Sequence, residues 1–63
     1  MTAKQFRHAL KQIGLSQRKA GPFLEIDPRT VRRYALGELP IPPLIAKVLD
    51  YMVKHHLTAE DFT

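Results

Sequence analysis

Apolar residues return every three or four positions through most of this chain, and polar or turn-forming residues break the rhythm at short intervals. Phe6, Ala9, Leu10 and Ile13 share one side of a helix. Thr2, with Gln5 three places on, has the form of a capping box. Gly14 supplies a left-handed stop after which Leu15 can fold back on Leu10, so a first helix is predicted over about 3–13. Ser16 is the next N-cap, and Ala20, Phe23 and Leu24 form the stripe of a second helix, about 17–24. Gly21-Pro22 interrupts it. Proline removes a backbone donor and crowds the preceding turn, which predicts a tight turn or bend there. Asp27 then caps, Pro28 takes the first helical position and Ile26 can staple to Val31, opening a third helix of about 28–36 that stops at Gly37. The three prolines of ELPIPP (38–43) stiffen an extended connector. A fourth helix follows at about 43–56, carrying Leu44, Ile45, Val48, Leu49, Met52 and Val53 against a polar stripe of Lys47, Asp50 and Lys54. Thr58 and Asp61 are spaced to cap a last turn that tucks Phe62 against the body. No strand signal, repeat or low-complexity tract is present. The reading is all-α: a compact four- to five-helix bundle forming a single domain over 1–63.

Composition narrows the possibilities. A chain of 63 residues buries a thin core, which favours helices joined through local contacts. With no cysteine there is no disulfide framework and no thiolate metal site. No apolar run approaches the ~20 residues that span a bilayer, and the start MTAKQFRHALKQ is too polar for a signal peptide. A soluble, cytoplasmic protein is expected. His55 and His56 are adjacent and diverge around a helix, and His8 has no partner at ligand spacing, so no metal is expected. No Ser/His/Asp arrangement, carboxylate pair or glycine-rich phosphate loop stands out, so neither catalysis nor a cofactor is expected.

The formal net charge of +4 is unevenly spread. Residues 1–33 hold eight Lys and Arg against two carboxylates, a net of +6, while residues 34–63 hold two against four, a net of −2. A polyanion-binding half and a packing half are the natural division. Lys4, Arg7 and Lys11 read as the solvated face of the first helix. The third helix is different. Arg29, Arg32 and Arg33 lie on one side and Val31, Tyr34 and Ala35 on the other, so one face can pack while the other presents three cations.

These residues resemble the Cro/repressor-type, XRE-like family of helix-turn-helix regulators, whose domain is of the lambda-repressor-like kind. The likeness covers nearly the whole chain and is densest over Leu15–Gly37. It rests on Leu15-Ser16-Gln17 entering helix 2, small Gly21 where helices 2 and 3 cross, Leu24, Ile26 in the turn, and Thr30, Val31, Arg33 and Tyr34 before Gly37. The family usually has Ala at Gly21, Gly at Glu25, an ordinary helix former at Pro22 and often a polar base-contacting residue at Pro28. If Glu25 is left-handed it carries strain.

The resemblance implies that helix 3 is a recognition helix whose Arg29, Arg32 and Arg33 face the DNA major groove, with Thr30 touching a thymine methyl or a phosphate. Gln17 takes the family position that anchors a phosphate, and Arg18 and Lys19 add nonspecific phosphate contacts. Helix 4 is more apolar than one small core requires. Leu44, Val48 and Tyr51 are therefore expected at a homodimer interface, with Ile45, Leu49 and Met52 facing inward. The expected function is a sequence-specific transcriptional regulator, a small dimeric repressor that occludes a promoter at an inverted-repeat operator, with no small-molecule ligand. The alternatives are a protein-interaction module, such as an antitoxin or adaptor, and a nonspecific nucleic-acid binder.

Overall fold

Helix caps written into the sequence set the architecture. In the computed structural model of the chain, which describes residues 1–62 and Phe62 by its backbone alone, four α-helices follow one another: α1 (Ala3–Gln12), α2 (Gln17–Leu24), α3 (Pro28–Leu36) and α4 (Pro43–Lys54). A 3-10 turn spans Ala59–Phe62, and no strand occurs among the described residues. The chain is all-α. Thr2 and Gln5 close a reciprocal capping box, with the Thr2 N–H donating to Gln5 Oε1 at 2.8 Å and the Gln5 N–H donating to Thr2 Oγ1 at 3.1 Å. Ser16 Oγ accepts from the Lys19 N–H and Asp27 Oδ1 from the Arg29 N–H, at 3.2 and 2.8 Å. Each cap satisfies a donor that the first helical turn otherwise leaves unpaired.

All four helices end the same way. A left-handed residue turns the chain, and the next N–H closes on a carbonyl five positions back: Leu15 on Leu10, Ile26 on Gly21, Glu38 on Arg33 and Leu57 on Met52, at 2.8–2.9 Å. Glycine fills the left-handed position in α1 (Gly14, φ 72°) and α3 (Gly37, φ 78°), but Glu25 (φ 58°) and His56 (φ 55°) fill it in α2 and α4. Side-chain crowding in this region costs about 1–2 kcal/mol, less the entropy glycine loses on folding. Glu25→Gly is therefore expected to raise the unfolding free energy by about 0.5–1 kcal/mol. Urea denaturation measures it, and a lower midpoint would contradict the strain.

Two boundaries differ from the sequence reading. α1 ends at Gln12, with Ile13 as its C-cap, rather than at 13. α4 ends at Lys54, not 56, because His55 is its C-cap and His56 is already left-handed. α2 spans the expected 17–24 and remains α-helical through Pro22, where a tight turn or bend is the sequence expectation. Pro22 is exposed and removes one internal bond, while the closure of Ile26 on Gly21 holds the helix end. The 3-10 turn forms where Thr58 and Asp61 predicted a cap, and the Thr58 N–H donates to Asp61 Oδ2 at 2.7 Å. The expected seating of the Phe62 side chain lies outside the described residues.

The core draws on every helix: Phe6, Ala9, Leu10 and Ile13 with Leu15, Ala20 of α2, Val31, Tyr34 and Ala35 of α3, and Leu49 and Met52 of α4. Ile45, Phe23, Leu24 and Ile26 are half-buried around it. Tyr34 packs edge-on against Phe6, with ring centroids 5.9 Å apart and planes at 76°. That is an attractive quadrupolar arrangement.

At Gly21, α2 closely approaches the turn and the start of α3. A Cβ built there lies 3.0 Å from the Ile26 carbonyl oxygen, 3.1 Å from Pro28 Cγ and 3.3 Å from Pro28 Cα. Two of these are backbone atoms and the third belongs to a rigid ring. An added side chain must push α3 away from α2. Overpacking of this kind outweighs the helix propensity gained by losing glycine, which is about 1 kcal/mol at most. Gly21→Val is expected to destabilise the fold by about 2 kcal/mol, read from thermal unfolding. An unchanged midpoint would contradict the close approach.

Candidate nucleic-acid interface

The exposed face of α3 is built by the residues on its opposite side. Val31, Tyr34 and Ala35 are buried, and offsets of three and four from Arg29 place Arg32 and Arg33 together on the outward arc. All three arginines are exposed, and Thr30 is half-buried at the margin between the two faces. Arg29 has a side chain 93% exposed and a single weak tie, with Nε 3.9 Å from Asp27 Oδ1. A surface pair of this length contributes little and leaves the guanidinium available. Among the described residues, Arg32 and Arg33 have no ion pair.

The first turn of α2 presents Gln17, Arg18 and Lys19, each exposed. Ser16 takes the Lys19 N–H and its carbonyl takes that of Ala20. The N–H groups of Gln17 and Arg18 are left outward-facing at the positive end of the helix. The structure thus places all seven of the sequence-selected residues on α2 and α3, the two helices that cross at Gly21.

α3 is held at both ends and along its inner face. Asp27 caps its start, Gly21 of α2 abuts Pro28, and α1 meets its far half through Phe6 against Tyr34. α1 also contributes Arg7, whose Nη1 donates to the Ala35 carbonyl oxygen in the last turn of α3. Arg7 is exposed, as its place on the solvated face of α1 predicts, and its contact with Ala35 is an addition to that reading. Nothing local marks it, because its partner is 28 positions away.

A second surface lies on α4. Leu44, Val48 and Tyr51 are exposed at 73%, 38% and 58%, whereas Leu49 and Met52 are buried. The exposed three repeat at offsets of four and three, forming a continuous apolar stripe. Tyr51 is braced by His55 one turn on, with ring centroids 4.3 Å apart. His55 thereby extends the stripe. A shallow, almost wholly apolar depression beside it is lined by Lys47, Val48, Tyr51 and Met52.

Among the described residues, no three His, Cys, Asp or Glu side chains gather where a metal ion could bind. Among the same residues, no helix is long and apolar enough to cross a membrane. No protein-family model matches the chain, and no curated protein or solved structure matches it either.

Proposed function

We propose that the chain binds double-stranded DNA sequence-specifically and regulates transcription, with α2, the turn at Glu25–Asp27 and α3 acting as a helix-turn-helix. The observation that carries this reading is the arginine face of α3: three exposed guanidiniums on a helix whose other face is locked into the core. An α-helix fits the major groove, and a guanidinium grips guanine O6 and N7 with two parallel hydrogen bonds. Gln17 and the free N–H groups at the start of α2 suit a phosphate, and Arg18 and Lys19 add charge beside it.

One module of this size has a limited footprint, and two copies reading two half-sites gain both affinity and discrimination. The stripe on α4 is suited to join them. It spans about 10 Å of helix at 1.5 Å per residue. It is also nearly symmetric about its midpoint, so two α4 helices laid antiparallel set Leu44 of one copy against Tyr51 of the other. A two-fold interface needs this self-complementarity. The bound dimer then represses by occluding a promoter.

Titration of a labelled duplex at increasing salt tests the binding mode. Affinity is expected to fall linearly on logarithmic axes with a slope of about −0.9 per phosphate neutralised. Absence of binding to any duplex at 50 mM salt would overturn the reading.

A further inference from the structure

We propose that Arg7 is a positioning residue for the recognition face: its hydrogen bond to the Ala35 carbonyl fixes the rotation of α3, and so the direction in which Arg29, Arg32 and Arg33 leave the body. The proposal rests on the DNA-binding reading above. Phe6 and Arg7 are neighbours on α1 and reach neighbours on α3, Tyr34 and Ala35. The two contacts do different work. The ring contact is apolar and sets how close α1 and α3 lie, but burial is non-directional and tolerates sliding and rotation. A hydrogen bond weakens steeply away from its preferred angle, so the guanidinium pins one carbonyl of α3 in one orientation.

That carbonyl needs a partner. Gly37 and Glu38 turn back on Tyr34 and Arg33, which satisfies those two acceptors and leaves Ala35 to Arg7. The cation also sits at the negative end of the α3 dipole. At its other end α3 is held by the Asp27 cap and the Gly21–Pro28 approach. Without Arg7, α3 keeps its buried face of Val31, Tyr34 and Ala35 against the core but loses a directional side-chain tie at its C-terminal end.

Base readout and phosphate contact respond differently to such a loss. Two-point grips on guanine require positions held to roughly 0.5 Å and 10–20°. Attraction to phosphates tolerates much larger displacements. Loosening α3 therefore lowers the preference for a selected site over random duplex more than it lowers binding in general.

The test compares Arg7→Met, Arg7→Lys and, as a charge control on the same helix, Lys11→Met. Each is confirmed folded by circular dichroism, and affinities are measured for a selected site and for random duplex. Arg7→Met is expected to cut the ratio of the two affinities about fivefold or more, on the scale of one lost base contact. Lysine, which can still donate to the carbonyl, should keep most of the ratio, and Lys11→Met should leave it unchanged. In protein without DNA, the amides of Gly37 and Glu38 should exchange with solvent faster in Arg7→Met than in the wild type. A wild-type ratio retained by Arg7→Met, or an equal loss in Lys11→Met, overturns the proposal. Should Arg7→Met fail to fold, Arg7→Ala, which removes the donor and favours the helix, carries the test with the same readouts, and a retained wild-type ratio overturns the proposal. Wild-type protein that binds all duplexes alike overturns the DNA reading and this proposal together, whereas discrimination that survives Arg7→Met overturns the proposal alone.

Discussion

Leu44→Asp is expected to leave a folded monomer and to weaken binding to a two-half-site operator by about a hundredfold, at the lower end of what linking two binding modules gains. Leu44 is 73% exposed, so its replacement opens no cavity and should shift stability by no more than about 0.5 kcal/mol. In the antiparallel α4 pairing it places a carboxylate against the Tyr51 ring of the other copy, twice over because the interface is two-fold. The loss is specific to the pairing. Affinity for a duplex carrying one half-site should be unchanged, since Leu44 is not on α2 or α3. Sedimentation of both proteins, with titrations on full and half operators, gives the answer. A variant that still sediments as a dimer, or that loses affinity equally for both duplexes, would contradict the α4 interface.

Alanine in place of Arg32 or Arg33 is expected to cost about 1–3 kcal/mol on the preferred site and to relax specificity there. Both side chains are exposed and, among the described residues, unpaired, and alanine is the better helix former, so little of a change in binding can be traced to the fold. Alanine at Arg18 or Lys19 should act differently, weakening selected and random duplexes alike and flattening the salt dependence by about one contact. Competition titrations with random duplex separate the two patterns. If every arginine substitution left the ratio of selected to random affinity untouched, α3 would not be the reading element.

Much of the fold was legible because its determinants are local. Thr2 with Gln5, Ser16, and Asp27 with Pro28 act within a few residues of one another, and each helix begins where they predict. The two-faced pattern of α3 likewise follows from helical period alone. What was not legible depends on contacts distant in sequence or on residues that defy local preference. His56 ends α4 in a conformation that histidine disfavours, so the pattern ran two residues too far. Pro22 predicts a tight turn or bend because its cost is local, whereas the bond that holds the helix end comes from Ile26 beyond the turn. Arg7 was missed since only the folded chain brings it to Ala35. The arginines were selected by residue type and spacing, and the structure adds their exposure and the burial of the opposite face of the helix.

Selection of bound sequences from a pool of random duplex DNA tests the central claim most directly. The account predicts enrichment of an inverted repeat whose half-sites are centred about one helical turn, ~34 Å, apart, with guanines at the positions facing the α3 arginines. A bound pool with the same sequence composition as the input would contradict it.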